Sequence, residues 1–235
     1  MVDRPVMVIT GTSRGIGRGM AEYFIKKGYR VAGCSRGQAT LHREGYHHTQ
    51  LDVGDEQAVQ KWVRTIKNDF KRVDVLVCNA GLVRSALLMT VTPAEVLETF
   101  LRTHVAGTYY VCREVSKIMV SRKYGRIITV SSLGVPLHLE GSSAYSATKS
   151  AIIEMTKILA KELAPLGITC NVLAPALILT ESAQAMGKEW FDRLIQKQTI
   201  KRTVTIEEIC NVVSFFAAPE SACITGQVIN MGLVC

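Results

Sequence analysis

Hydrophobic and polar positions along this chain alternate between two kinds of pattern. Short apolar, β-branched runs occur at Val6–Thr10, Arg30–Ser35, His48–Leu51, Val73–Asn79, Arg126–Ser131, Thr169–Ala174 and Val228–Asn230. Runs of this length and composition predict strands. Between them lie stretches with apolar residues three and four apart, the spacing of one helix face. After the first run, Met20, Ala21, Phe24 and Ile25 share such a face, and the pattern stops at Gly28. Longer helices are predicted over Val96–Met119 and Thr148–Leu163. In the second, Ile152, Ile153, Met155 and Ile158 exceed what a single buried face requires. There is no internal repeat, low-complexity tract or linker. Strands alternating with helices predict one α/β domain over residues 1–235, a doubly wound parallel sheet with helices on both faces.

The first strand leads directly into Gly11-Thr12-Ser13-Arg14-Gly15-Ile16-Gly17 and then into a helix. Strand, glycine turn and helix in this order form the context of a dinucleotide fingerprint. Gly11 allows the tight turn, Gly15 lets backbone approach a pyrophosphate, and Gly17 lets helix and strand pack closely. The helix N-terminus then offers free N–H groups to phosphate. The second strand ends in Ser35 and Arg36, where an NAD enzyme is expected to carry Asp or Glu. A carboxylate would repel the extra phosphate of NADP, whereas a guanidinium can grip it in a fork. The expected cofactor is therefore NADPH/NADP+, with Ser35 and Arg36 near that phosphate.

Tyr145 and Lys149 stand four apart in Ala144-Tyr145-Ser146-Ala147-Thr148-Lys149. On a helix they lie on one face, one turn apart. An ammonium beside a phenol favours phenolate and is expected to lower the tyrosine pKa from about 10 toward working pH. Such a pair suits proton exchange with a carbonyl/alcohol couple. The run Arg126–Ser131 ends in two serines, Ser131 and Ser132, which strand alternation turns to opposite sides. One is expected to hold a substrate oxygen and the other to bond nearby backbone.

The spacing G-x-x-x-G-x-G in Gly11–Gly17 resembles the cofactor turn of the short-chain dehydrogenase/reductase family, and the resemblance continues along almost the whole chain. Leu51-Asp52-Val53 is similar to the family's adenine contact and Asn79-Ala80-Gly81 to its strand-end motif. Ser132 precedes Tyr145 by the family's interval, and Asn171-Val172-Leu173-Ala174-Pro175 resembles the segment that closes over nicotinamide. The resemblance implies a Rossmann-type sheet of seven strands. It implies Ser132, Tyr145 and Lys149 as catalytic, with Ser132 rather than Ser131 on the substrate oxygen and Lys149 also bonding the nicotinamide ribose. It further implies that Gly11, Ser13, Arg14, Gly15, Ile16, Gly17, Ser35, Arg36, Asp52, Val53, Asn79, Ala80, Gly81, Tyr145, Lys149, Pro175, Ile178 and Thr180 bind the cofactor. Arg14 resembles the second basic residue of NADPH-preferring members.

Three places depart from the family. His104-Val105-Ala106-Gly107 stands where members carry N-x-x-G. His104 is either a fourth catalytic residue, supporting a water chain to Lys149 and titrating at about 6.5, or a histidine satisfied within helix packing. Pro175-Ala176 replaces P-G, and Asn230-Met231-Gly232-Leu233 replaces the usual D-G-G.

Residues 176–200, with Leu177, Ile178, Leu179, Met186, Trp190 and Phe191, are expected to form a lid. The loop after Ser132 adds Leu133, Val135, Pro136, Leu137, His138 and Leu139. Both point to an apolar substrate cleft. In overall look the chain is most similar to the 3-oxoacyl-[acyl-carrier-protein] reductases of fatty acid or polyketide biosynthesis. A small-molecule carbonyl substrate, carried on acyl carrier protein, is the expected partner. A pathway-specific ketone or keto-sugar reductase, and a non-catalytic NADPH-binding regulator, are the alternatives. Arg122, Lys123 and Arg126 are an expected docking cluster for an acidic carrier. The resemblance also implies a homodimer or homotetramer through the helices that hold His104 and Tyr145.

Composition sharpens this picture only modestly. The 235 residues are 48% hydrophobic and 20% charged, with net charge +8, which suits a single globular domain. No run of five basic residues occurs, so an anionic cofactor and substrate explain the excess better than nucleic acid. The seven cysteines form no C-x-x-C pair, so neither a zinc site nor a disulfide framework is expected. No metal, membrane span or signal peptide is expected, and the expected location is cytoplasmic.

Overall fold

All five residues of Val6–Thr10 (β1) are buried, as befits a strand covered on both faces. In this computed structural model, which describes residues 4–83, 87–180 and 187–234, β1 pairs in parallel with Arg30–Ser35 (β2) and Val75–Cys78 (β4). Tyr46–Gln50 (β3) lies outside β2. Gly125–Val130 (β5), Ile168–Ala174 (β6) and Val228–Asn230 (β7) extend the other side. The result is a seven-stranded parallel sheet in the order β3-β2-β1-β4-β5-β6-β7.

Strand alternation divides the core into two. Val6 and Val8 point into one cluster, and Met7 and Ile9 into the other. The first cluster is closed by Glu56–Phe70 (α2) through Trp62 and Ile66. Gly107–Arg122 (α4) adds Val111 and Val115, and Ser143–Leu163 (α6) adds Ala160 and Leu163. The second cluster is closed by Gly15–Lys26 (α1) through Met20 and Phe24, and by Ile206–Ala217 (α8) through Ile209, Val213 and Phe216. Helices thus cover both faces. Shorter helices are Ala94–Phe100 (α3), Gly134–Leu137 (α5) and Lys188–Lys197 (α7).

Three elements differ from their expected form, the first being α6, which begins at Ser143 rather than Thr148. β3 begins at Tyr46 rather than His48, because Tyr46 and His47 pair with Val31 and Ala32 although neither is aliphatic. The helix expected over Val96–Met119 is not uniform: α3 passes into a π-helical segment, Leu101–Ala106, and only then into α4. One wide turn changes the phase of the helix, which a search for a 3.6-residue period does not register. It carries His104 to complete burial.

Candidate active site

One cleft of about 580 Å3 runs over the carboxyl ends of the central strands. The glycine turn lies at one end of it, and Ser132, Tyr145 and Lys149 lie at the other.

The glycine turn is fixed by main chain. Gly11 and Thr12 donate their N–H groups to the Cys34 carbonyl at 2.7 and 3.1 Å. Gly11 has φ +78°, and a Cβ there would stand 2.9 Å from the Ala80 Cα, so both conformation and space require glycine. A Cβ on Gly17 would strike the Gly11 carbonyl and come within 2.6 Å of the Asn79 amide. That amide is committed to β1, donating to the Thr10 carbonyl at 2.9 Å. The Thr10 hydroxyl in turn accepts the N–H groups of Asn79 and Ala80, at 3.0 and 2.9 Å. Asn79 therefore joins β4 to the turn through its side chain.

The α1 N-terminus has no acidic residue in its first turn. Arg14 and Arg36 are exposed, and neither has a carboxylate partner among the described residues. Ser35 is buried and donates its hydroxyl to the Gly37 carbonyl at 3.0 Å. Asp52 accepts the Gly54 N–H at 2.9 Å with one oxygen and faces Arg102 at 3.3 Å with the other. Close-approach glycines, a helix N-terminus and two unpaired guanidiniums at this end fit a dinucleotide with an additional phosphate. Val53, Ala80, Gly81, Pro175, Ile178 and Thr180 also line the cleft.

At the other end, α6 presents Tyr145 and Lys149 on one face. Lys149 is buried and donates to the Val130 carbonyl at 2.9 Å. Its Nζ lies 5.9 Å from the centre of the Tyr145 ring. Burial pushes the amine down to about 8. The Tyr145 phenol moves up, because burial outweighs a hydrogen bond from Ser132 that pulls it down. The expected lowering of the phenol by the neighbouring amine is thus not the dominant effect here. Helical spacing sets where two side chains start, but the amine tip is drawn to the Val130 carbonyl, and desolvation of the phenol governs. Ser132 Oγ accepts the Gly134 N–H at 3.1 Å. Ser131 donates its hydroxyl to the Lys149 carbonyl at 3.1 Å, the backbone bond expected of it, and both serines lie just past the end of β5 at Val130.

His104 has both ring nitrogens engaged. Nε2 accepts the Leu82 N–H at 2.9 Å, which fixes the proton on Nδ1. Nδ1 then donates to the Thr148 hydroxyl at 2.9 Å, and that hydroxyl donates to the Tyr145 carbonyl at 2.8 Å. Burial, followed by the nearby Lys149 charge, pushes the imidazole down to about 3. Of the two sequence readings, this environment matches the satisfied histidine, and a titration near neutrality is not what it provides. The ring stacks on Phe100 at 5.1 Å, and both rings pack edge-on against Tyr145 at 5.6 and 5.8 Å. Sequence reasoning passed over Phe100, although its place four residues before His104 was a usable signal.

The expected apolar walls are only partly present in the cleft. Leu133, Leu139, Leu177, Ile178 and Trp190 line it, joined by Val83, Leu87, Val96 and Leu194. Val135, Pro136, Leu137, His138 and the exposed Leu179 do not line it, and Phe191 packs against the core instead. Part of the expected lid, residues 181–186 including Met186, lies outside the described residues. The expected docking cluster is overturned. Arg126 is the second residue of β5, at the opposite end of the sheet, buried, with its guanidinium 4.6 Å over the Tyr124 ring. Arg122 there faces Asp74 at 3.7 Å. Among the described residues no helix is long and apolar enough to cross a membrane. No group of three or more His, Cys, Asp or Glu among them is placed to hold a metal ion.

A sequence profile of the family described as Enoyl-(Acyl carrier protein) reductase matches residues 11–232. The chain is 32% identical over 232 residues to the 3-oxoacyl-[acyl-carrier-protein] reductase FabG of Escherichia coli, covering 96% of this chain and 95% of that one. It is 30% identical over 233 residues to the reductase of the same name from Haemophilus influenzae, with 96% of each chain covered. Among solved structures it is similar to ElxO with NADP bound, at 30% identity, TM-score 0.90 and 97% coverage of both chains. It is also similar to a phenylalanine-to-tryptophan variant of actinorhodin polyketide ketoreductase with NADPH, at 28% identity and TM-score 0.88, covering 97% of this chain and 96% of that one. The chain belongs to the short-chain dehydrogenase/reductase family.

Proposed function

We propose that this protein is a ketoreductase acting on 3-oxoacyl thioesters carried by acyl carrier protein, with Tyr145 as the general acid. It is an NADP-dependent short-chain oxidoreductase, and carbonyl reduction is the chemistry of its relatives. The observation that carries the reading is the single cleft shared by the glycine turn, with Arg14 and Arg36, and by the Ser132–Tyr145–Lys149 group. The turn, Arg14 and Arg36 would hold the cofactor's phosphates, and Asp52, Val53 and Pro175 its rings. When bound, NADPH supplies the hydride for the carbonyl carbon.

The protein's own residues then handle the oxygen. Tyr145, raised above the ordinary phenol range by burial, stays protonated at neutral pH and is a ready donor to a forming alkoxide. Ser132, whose hydroxyl acts on that phenol, would hold the same oxygen. Lys149, pushed down to about 8, is cationic at neutral pH and stabilises the phenolate left after donation. His104 links the Leu82 loop to α6 and keeps Tyr145 and Lys149 in place as a neutral group.

An apolar acyl chain suits Leu87, Val96, Leu177 and Trp190 in the wall. Assembly through the helices of His104 and Tyr145 belongs to this reading and is supported by exposed Leu97, Leu101, Tyr109 and Ile158 on those helices. A reducing cytoplasmic setting is supported by free thiols at Cys34, Cys78, Cys112, Cys170, Cys210 and Cys223.

The test is NADPH consumption with acetoacetyl thioesters of carrier protein and coenzyme A, beside a panel of small ketones and keto-sugars. The thioesters are expected to give the highest kcat/KM. Turnover confined to a ketone or keto-sugar would replace the substrate assignment, and NADPH binding with no consumption on any substrate would favour a regulator.

A further inference from the structure

The edge strand β3 carries a set of polar contacts that the chemistry above does not use. Tyr46, His48 and Gln50 alternate along it and so share one face. Gln50 donates to the Arg36 carbonyl at 2.8 Å. His48 Nε2 lies 3.1 Å from the Gly37 carbonyl, which can only accept, so that nitrogen carries the proton. The same carbonyl receives the Ser35 hydroxyl. The Tyr46 hydroxyl donates to Thr12 Oγ1 at 2.8 Å and lies 2.9 Å from His48 Nδ1. Thr12 belongs to the glycine turn. Gly33 makes room for this junction, since a Cβ there would lie 2.5 Å from the Thr12 hydroxyl and 2.6 Å from that of Tyr46. The intervening residues behave otherwise: His47 packs edge-on against Phe70 of α2 at 5.0 Å.

We infer that Tyr46, His48 and Gln50 are positioning residues for recognition of the cofactor's extra phosphate, holding the Arg36–Gly37 main chain and the glycine turn in one fixed relation. The inference rests on the reading of Arg36 as a ligand of that phosphate. Arg36 is exposed and makes no ion pair among the described residues, so nothing but its backbone fixes where its guanidinium starts. A loose loop would have to be ordered when the phosphate binds, and that cost would subtract from affinity. Three β3 contacts made during folding remove much of it beforehand. NADH lacks the extra phosphate and gains little from an ordered Arg36. His48 and Gln50, which hold the Gly37 and Arg36 carbonyls, should therefore act on discrimination between cofactors and leave general dinucleotide affinity nearly unchanged.

The experiment is a double-mutant cycle on the full chain. Dissociation constants for NADPH and NADH are read by quenching of protein fluorescence, alongside thermal melts. The variants are Arg36→Ala, His48→Leu, Gln50→Ala, His48→Gln and each β3 variant combined with Arg36→Ala. His48→Leu and Gln50→Ala are expected to weaken NADPH by about tenfold for the stronger of the two, the effect of roughly one net hydrogen bond, with NADH changed less than about twofold. His48→Gln, which keeps a donor, should recover much of the loss. In the Arg36→Ala background the β3 changes should have almost no further effect on NADPH. Equal weakening of both cofactors, no weakening of either, or full additivity with Arg36→Ala would overturn the positioning role while leaving Arg36 as the phosphate ligand. If Arg36→Ala itself fails to discriminate between the cofactors, the underlying phosphate assignment falls and the role of β3 falls with it. Gln50 is exposed, so its variant keeps the test decisive should His48→Leu not fold.

Discussion

The two ends of the cleft reach their properties by opposite means. At the chemical end the charged and titrating groups are buried. Lys149 is down at about 8, Tyr145 is up, and His104 is neutral. At the phosphate end Arg14 and Arg36 are exposed, and Arg36 is held by its backbone carbonyl. The comparison teaches that burial tunes protonation where a proton must move. Under the proposed function, the anion would be gripped by solvent-facing charge on a fixed main chain. A change at the first end should appear in rates and pH profiles, and a change at the second in cofactor preference.

The largest effect expected is at the chemical end. Tyr145→Phe should lower kcat by about 100-fold or more, the usual size of a lost general acid, with NADPH affinity near normal in a binding titration. A nearly unimpaired variant would remove the proton route through Tyr145. Next, Ser35→Asp with Arg36→Ala should move the NADPH-to-NADH preference by about 10- to 100-fold, measured as the ratio of kcat/KM values, with kcat on saturating cofactor little altered. If the preference stayed put, the phosphate end would lie elsewhere.

The remaining predictions concern burial. Lys149 is about 8 in the fold against 10.5 unfolded. Between these values the unfolded chain binds more protons, so the Lys149 contribution to stability rises with pH across that window. The buried Cys34, Cys170 and Cys210 thiols and Tyr145 are raised and act in the opposite sense. The readout is therefore the difference in melting temperature between wild type and Lys149→Met from pH 8 to 10. That difference should shift in favour of wild type as pH rises, and a flat difference would mean that Lys149 is not desolvated. The smallest effect on activity is expected at His104. His104→Asn should leave the pH profile of kcat/KM unmoved near neutrality, since the imidazole is already uncharged. His104→Leu should cost about 1–3 kcal/mol in urea unfolding for the stranded Leu82 N–H. A neutral-range ionisation that disappears in His104→Asn would restore a titrating relay.

Much of this molecule is legible in residue order. The β1–turn–α1 unit could be read because Gly11 and Gly17 have almost no substitutes at contacts this close. Ser131 bonds backbone as expected, although β5 ends at Val130 and strand alternation does not reach either serine. Other features were invisible for specific reasons. The π-helical turn at Leu101–Ala106 shifts phase without a sequence marker. Arg122 and Arg126 looked like a surface cluster because charge runs carry no information about which end of a sheet they occupy. The β3 face was missed because Tyr46-His47-His48 is not aliphatic, although its alternation of inward and outward residues was present.

By itself the sequence determined the doubly wound sheet, the glycine turn and the side chains that meet in the cleft beside it, because local spacing dictates period, turn and face. Only the tertiary structure decided the protonation of Tyr145, Lys149 and His104, and the anchoring of Arg36. Those depend on how much water is excluded and on which carbonyl lies within reach, quantities set by residues far apart in the chain.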